Sequence, residues 1–245
     1  MLNKGVSPLI STVFIILISI SAISIVLLIA LPAIEKGKEA AIINEAMQNM
    51  KSLSNSIKDV ASEGVGSLRT LSMKVTAGEY KINEKSNSID FTYAIKSDII
   101  QPDSMVKEGD ITLSAGSNAK SSEYDLDNDG SSDLVLENEI LRIAILKNGT
   151  KSSNSFINTT KLIKMINFKE TNENITPSDS SITLDDDKGS SYGTGYSELV
   201  KSGDRMPKAE AVVHVNSTYI VYDVLYTLPS GADFVLIKIQ NAYYK

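Results

Sequence analysis

The sequence LISTVFIILISISAISIVLLIAL, at residues 9–31, decides how the rest of the chain is interpreted. It lies within residues 6–34, which hold no charge; Lys4 precedes this segment and Glu35 follows it. About 20 apolar residues are enough for a helix to cross a bilayer, so the segment predicts a membrane-spanning helix. The positive charge of the N-terminal amine and Lys4 favours a cytoplasmic N-terminus and an extracellular remainder.

A second helical pattern follows this apolar segment. Pro32 should bend or interrupt the helix where the apolar run ends. Apolar residues then recur at three- and four-residue spacing through residues 43–61, with polar residues on the opposite side. Gly64 and Gly66 predict the end of the helix. We therefore expect a helix over residues 6–66 with a membrane-spanning half and an amphipathic half. The amphipathic half would dock on the next domain or, alternatively, on copies of itself.

The chain beyond residue 66 alternates short β-rich segments with polar turns, which predicts an antiparallel β-sandwich-like head over residues 67–245. The fold class is therefore α+β, with a long N-terminal α-helix before the head. The expected strands are at residues 68–76, 79–83, 89–95, 111–114, 134–136, 140–146, 182–184, 209–216, 219–228 and 233–240.

Three segments of the head do not follow the simple pattern of strands and turns. Residues 140–146 followed by Lys-Asn-Gly149 predict a hairpin. Residues 162–166 fit either a short helix or a strand. The mostly polar stretch 167–208 is interpreted as a long exposed excursion with turns, apart from the short segment 182–184.

Composition excludes several classes of site. The chain has no cysteine, so disulfides, thiolate metal sites and cysteine nucleophiles are absent. Its net charge is −6 and no Lys/Arg cluster interrupts the acidic balance, which argues against a nucleic-acid partner. The single histidine, His214, lies in a strand-like stretch, where a structural role is the expectation. We therefore expect a protein that is not an enzyme; a surface hydrolase using His214 is the remaining alternative.

The sharpest local motif is Asp125-Leu-Asp-Asn-Asp-Gly-Ser-Ser-Asp133. Carboxylates at alternate positions followed by glycine can wrap a loop around a hard cation, so one interpretation of the motif is a Ca²⁺ site. Its ligands would be the side chains of Asp125, Asp127, Asp129 and Asp133 and the backbone carbonyl of Ser131. The spacing departs from the EF-hand because Leu136 stands at the last ligand position. The alternative is an Asp/Asn/Gly turn without metal.

Four sequences of the form Asn-X-Ser/Thr are candidate N-glycosylation sites, and the acceptors would be Asn148, Asn158, Asn174 and Asn216. A chain rich in asparagine, serine and threonine produces such sequences by chance. They matter if the head faces the cell exterior, because only there would they be expected to carry glycans.

The N-terminal run Lys4-Gly-Val-Ser-Pro-Leu-Ile10 before the apolar helix resembles that of archaeal type IV pilins and pilin-like proteins with a class III signal peptide. The resemblance covers about the first 35 residues. It implies that residues 1–5 are a leader and that a prepilin peptidase cuts between Gly5 and Val6. Bacterial pilins carry glutamate at the fifth mature position, which here is Ile10, so their rule for subunit register is absent.

The resemblance implies a single-pass precursor that lies in membrane lipid before assembly and then polymerises through its N-terminal helix with copies of itself or other pilins. The product would be a cell-surface filament for adhesion or surface attachment. Small residues within the apolar helix, including Ser19 and Ala22, suit close helix packing. The alternative is a monomeric, signal-anchored surface binding protein whose binding could depend on Ca²⁺.

Overall fold

The protein is described here from a computed structural model, which covers residues 8–97, 99–100, 104–177 and 181–245. The chain divides into two compact units. The first contains the N-terminal helix, the chain after it as far as Glu79, and the segment Phe91–Ile99. The second contains Tyr80–Asp90 and Ile100–Lys245. The layout is α+β, as the sequence predicts, with one long helix followed by antiparallel sheets.

Helix α1 runs without interruption over Pro8–Glu63, a length of about 84 Å at 1.5 Å per residue. It continues through Pro32, so of the two expected effects the interruption is wrong, while a bend there stays a prediction. The helix ends where the sequence predicts. Gly64 takes a left-handed φ of 88°, and the Ser67 amide donates to the Gly64 carbonyl oxygen at 3.3 Å. A residue without a Cβ adopts this conformation at little cost, which explains the stop.

The first half of α1 has an uncovered apolar surface. Every large apolar side chain described between Ile10 and Ile34 is 47–75% exposed. The hydroxyls of this half bond back to carbonyl oxygens four residues earlier, at 2.8–2.9 Å, in Thr12, Ser19, Ser21 and Ser24. Polar groups that are satisfied within the helix do not oppose burial in lipid. By length and composition, α1 can cross a membrane.

The second half of α1 carries carboxylates that bind the segments belonging to its own unit. Glu39 is buried and accepts hydrogen bonds from the Lys96 amide at 2.8 Å and the Ser97 amide at 3.1 Å. Glu45 accepts bonds from the amide and the hydroxyl of Thr76, both at 2.8 Å. Residues 68–76 were expected to form a strand, but they form none. The helix satisfies backbone donors that a neighbouring strand would otherwise satisfy.

Within the described residues, fifteen strands follow the helix. Their bounds are β1 (Glu79–Asn83), β2 (Ser88–Thr92), β3 (Ser104–Glu108), β4 (Ile111–Ala115), β5 (Ala119–Tyr124), β6 (Asp133–Glu137), β7 (Leu141–Leu146), β8 (Ser155–Asn158), β9 (Ile163–Phe168), β10 (Glu173–Ile175), β11 (Tyr192–Leu199), β12 (Gly203–Met206), β13 (Lys208–Asn216), β14 (Ile220–Pro229) and β15 (Leu236–Tyr244). Short 3₁₀ turns lie at Thr159–Lys161 and Lys188–Ser191.

Two large antiparallel sheets make the body of the second unit. The six-stranded sheet has the order β10-β9-β7-β6-β5-β12, and the five-stranded sheet has the order β15-β14-β13-β11-β8. Strands β1 and β2, and separately β3 and β4, form two-stranded sheets. The inner faces of the two large sheets share one apolar core, which includes Leu136, Ile143, Val213 and Tyr226. A core enclosed between two sheets is the expected sandwich-like arrangement.

The six-stranded sheet and its connections differ from the sequence expectation in three places. The expected hairpin after β7 is wrong, because β7 pairs with β6 and β9 while β8 pairs with β11 in the other sheet. Residues 162–166, which were left undecided, belong mostly to β9. Residues 182–184 form no strand, although Leu184 makes an isolated bridge with Asp187.

The stretch 167–208 is not a long exposed excursion, because it contains the interior strand β11. This strand pairs with β8 on one side and β13 on the other. Its glycines are required by close backbone approach. A Cβ at Gly195 would lie 1.8 Å from the His214 carbonyl oxygen, and one at Gly193 would lie 2.2 Å from that of Asn216. Gly193-Thr-Gly195 is therefore a packing feature, where the sequence indicated a surface loop.

We predict that Gly195→Ala destabilises the five-stranded sheet by about 3 kcal/mol, because the added methyl group forces β11 away from β13. The neighbouring exposed residue supplies the control: Thr194→Ala adds no atom between strands and should change stability little. Hydrogen exchange of the β11 and β13 amides in the full chain measures both effects. Equal protection in the two variants would contradict the close approach.

Candidate functional site

The aspartate-rich loop joins β5 to β6 and is held closed by its own carboxylates. Asp125 accepts the amides of Asp129 at 3.2 Å and Gly130 at 2.9 Å. Asp133, fully buried at the start of β6, accepts the Leu126 amide at 3.2 Å. The turn uses a left-handed φ of 87° at Gly130, as the sequence indicated. One carboxylate oxygen each from Asp125, Asp127 and Asp133 lies within 4.8 Å of the others, a spacing that one cation can span.

A lysine already supplies positive charge to this loop. The Nζ atom of Lys164 lies 2.9 Å from Asp127 Oδ2, 2.8 Å from Asp129 Oδ2 and 2.8 Å from Asp133 Oδ1. An ammonium has three protons to donate, and here each can meet one carboxylate. Burial alone lowers the pKa of Lys164, but the hydrogen bonds that its ammonium donates to Asp129, Asp133 and Asp127 outweigh it and raise the pKa well above its usual value. Lys164 is therefore held in its charged form.

Lys164 reaches the loop because β9 is bulged. Against β7, Ala144 pairs with Met165 while Ile145 pairs with Ile163, so Lys164 is an extra residue in β9. A bulge re-aims the side chain of its extra residue. Lys164 lies 31 residues beyond Asp133 in the chain. No lysine or arginine lies within residues 121–133, and local spacing gave no sign of Lys164.

A divalent cation at this loop would have to displace the contacts of Lys164 in one of two ways. A Ca²⁺ ion takes six to eight oxygens at 2.3–2.6 Å. The oxygens that contact Lys164 would have to turn to the ion, or the ammonium would have to leave. Hard carboxylate oxygens fit Ca²⁺ chemically, whereas the bound ammonium competes with it. Ser131 adds the backbone amide that donates to Asp129 Oδ1 at 2.8 Å; its predicted role as a carbonyl ligand stays a prediction.

His214 belongs to a polar row across the outer face of the five-stranded sheet. Its Nδ1 lies 2.6 Å from Asp223 Oδ1, and Asn241 donates to Asp223 Oδ2 at 2.8 Å. The rings of Tyr196 and His214 stack with centroids 5.3 Å apart. Burial by itself raises the pKa of Asp223, but the hydrogen bonds from His214 and Asn241 outweigh it, and the pKa lies below its usual value. This cross-strand pair fixes the orientation of the imidazole, which fits the structural role expected for His214.

The four candidate glycosylation sites differ in how accessible the acceptor amide is. Asn174 is exposed on β10, and its bond from Asn167 uses Oδ1, not the acceptor nitrogen. The acceptor nitrogen of Asn148 donates to the Phe156 carbonyl oxygen. Asn158 caps a 3₁₀ turn through Oδ1, and Asn216 is half-buried. Asn174 is therefore the most accessible of the four acceptors. The predicted cleavage residues Gly5 and Val6 lie outside the described residues.

We predict that Lys164→Gln destabilises the loop by about 2 kcal/mol in the absence of metal, because three aspartates then face one another without the ammonium. The value is below the roughly 3–5 kcal/mol lost when a buried ion pair is broken, since Asp127 and Asp129 are partly exposed and screened by water. Millimolar Ca²⁺ should restore the lost stability of the loop, because the ion replaces the missing positive charge. Hydrogen exchange of the loop amides with and without Ca²⁺ measures both steps, and Lys161→Gln is the exposed control.

Calorimetry then compares the affinities of the two chains for Ca²⁺. Tighter binding by Lys164→Gln than by the unaltered chain is expected, since the ammonium no longer competes. Absence of binding by both chains would rule out the calcium site.

We predict that Asp223 stabilises the five-stranded sheet by about 1–2 kcal/mol at neutral pH. Because the folded pKa is depressed, the contribution is present above the unfolded pKa of about 3.9 and is lost as the pH falls through the folded value. The stability difference between the full chain and Asp223→Asn should therefore shrink on acidification below about pH 4. Asp204→Asn, an exposed site, is the control. A difference that does not change with pH would contradict the pairing.

Comparisons with protein-family models, with curated proteins and with solved structures gave no match to this chain. Its function has to be inferred from its own residues. Two features are available for that purpose, the uncovered apolar half of α1 and the charged contacts of the second unit.

Proposed function

We propose that the protein is a pilin-like structural subunit of an extracellular surface filament that serves adhesion or surface attachment. The observation that carries the proposal is the uncovered apolar half of α1. Burying one large apolar side chain is worth about 1.5–3 kcal/mol, so exposing the whole row to water would cost tens of kcal/mol. That exceeds the stability of a typical domain, about 5–15 kcal/mol. This surface therefore needs lipid or another helix to cover it.

The same helix suits both environments. Its hydroxyls are satisfied by its own backbone, so it presents no unsatisfied side-chain hydroxyl from Thr12, Ser19, Ser21 or Ser24 to lipid. Small residues on its surface allow a neighbouring helix to approach closely. In the proposed sequence of events, the precursor lies in the membrane, prepilin peptidase removes residues 1–5, and the helix then packs against copies of itself or other pilins. The head faces the cell exterior.

The support for processing is the resemblance of residues 4–10 to the class III signal peptide. We expect the mature chain to begin at Val6, and N-terminal sequencing of surface material tests this. Gly5→Val should leave residues 1–5 attached and abolish filaments in electron micrographs. Ser7→Ala, which alters the other side of the proposed cleavage site, should be cut and should assemble. A mature protein that keeps its first five residues would contradict processing.

The second candidate is a monomeric surface binding protein anchored by α1. It shares the membrane helix, and the aspartate-rich loop favours it if binding depends on Ca²⁺. Electron microscopy with labelled heads separates the two: single heads scattered on the membrane indicate the anchored monomer, and labelled filaments indicate the pilin-like subunit. Calcium binding is a separate proposal, because it requires the loop aspartates to give up contacts with the Lys164 ammonium.

A further inference from the structure

The five-stranded sheet ends in a long apolar edge strand. β15 pairs with β14 on one side, and no strand among the described residues pairs with its other side. Its inner-face residues Ile237 and Ile239 are 48% and 37% exposed, although their partners Tyr226 and Val224 are fully buried. Leu236, on the outer face, is 40% exposed. An edge of this kind presents backbone donors and acceptors together with apolar side chains, and it can pair with another chain.

The six-stranded sheet has a matching edge at β10. This strand pairs with β9 alone among the described strands, so its other side is also open. Its inner face carries Glu173 and Ile175, which is 48% exposed. Beside them lies an apolar recess of about 350 Å³ with an acidic rim, lined by Ile140, Phe168, Glu170, Thr171, Glu173 and Ile175.

Charge distinguishes the two edges. Strand β15 carries one charged residue, the exposed Lys238. The recess at β10 carries two exposed carboxylates, Glu170 and Glu173. None of the three makes an ion pair with a described residue. Two β15 strands brought together would each present a lysine, whereas β15 against β10 brings opposite charges together.

We propose that β15 of one copy adds to β10 of a neighbouring copy as an antiparallel strand, with Lys238 opposite Glu173 and Leu236 opposite Ile175. This contact rests on the proposed function, since it would join heads within the filament. It places an apolar pair next to a charged pair, both on the face that carries the recess. One chain supplies both edges, so successive copies can repeat the contact.

The contact is small. β10 is three residues long, so strand addition buries much less than the roughly 1,600 Å² of a standard protein interface. It would be weak between separate heads. Packing of the N-terminal helices holds neighbouring heads at high effective concentration, where a weak contact is occupied.

Disulfide trapping tests the pairing, and the absence of native cysteine gives a clean background. Two differently tagged full-length chains, one with Leu236→Cys and the other with Ile175→Cys, are assembled together and oxidised. Opposite residues in an antiparallel pair have Cβ atoms about 4.5–5.5 Å apart, close to the separation that a disulfide bridges. We expect a disulfide between the two tags. Leu236→Cys paired with the exposed Lys120→Cys is the matched control and should give none.

Charge reversal then tests the specificity in the same cysteine pair. Lys238→Glu carried by every chain should lower the yield of the mixed disulfide about fivefold, as should Glu173→Lys, because each places like charges opposite each other. The double reversal should restore it. The four altered positions are 173 and 175 in β10 and 236 and 238 in β15, which are exposed or at an edge, so we expect the fold to be preserved. Unchanged hydrogen exchange in β7 and β13 verifies this.

The outcomes separate this proposal from the filament. If filaments form but the disulfide does not, or if charge reversal has no effect, the strand pairing is wrong and the filament stands. A disulfide between two Leu236→Cys chains would show pairing of β15 with itself and would also overturn the proposal. If the chain forms no filament, the proposed function fails; the same oxidation on membrane-embedded chains then decides whether the two edges meet.

Discussion

The apolar surface of the first half of α1 is the constraint on which the other features depend. This surface is uncovered, and the cost of exposing it to water would exceed the stability of a typical domain. A surface of this kind is stabilised where lipid or another helix covers it. The hydroxyls of Thr12, Ser19, Ser21 and Ser24 are bonded to backbone carbonyl oxygens of the helix, so they do not oppose either environment. The second half of α1 differs, because Glu39 and Glu45 use it to bind backbone donors of the segments around Lys96 and Thr76.

Sequence alone predicted the elements whose side chains carry the fold. Helix α1 follows from an uncharged apolar run and a three-to-four periodicity, and its end follows from Gly64. The inner strands β6, β7, β13 and β14 are dense in branched apolar residues and were expected within a few residues of their observed bounds. Each of these elements is stabilised by burial of its own apolar side chains, so the signal is local.

The missed strands lack that local signal. β5, β10 and β12 are polar segments whose strand conformation comes from hydrogen bonds to a neighbour. β11 is an interior strand, yet it contains Gly193 and Gly195, which weaken a strand in isolation. They are required by the approach of β13, a constraint that exists only once both strands are placed. The assignment of residues 68–76 failed for the opposite reason: these apolar residues follow a helix and bond to it.

The contrast between local sequence signals and constraints that depend on the placed strands also explains what could be predicted of the charged sites. Alternate aspartates and a glycine predicted the loop at residues 125–133 from spacing alone. Lys164 could not be foreseen, because its approach depends on a bulge in β9 and on the order of strands in the sheet. The pairing of His214 with Asp223 likewise depends on the register of β13 against β14.

Several charges of the second unit form ion pairs, whereas the charges at the open edges of β15 and β10 form none with described residues. Lys164 neutralises part of the loop, and Lys85 and Lys208 pair with Glu198 and Glu210 on the five-stranded sheet. Lys238 and the carboxylates beside β10 have no such described partners, and they lie at the two strands whose apolar side chains are also uncovered. An edge that must only avoid association gains from charge of one sign. Opposite signs on two open edges of one chain instead favour the neighbour that carries both.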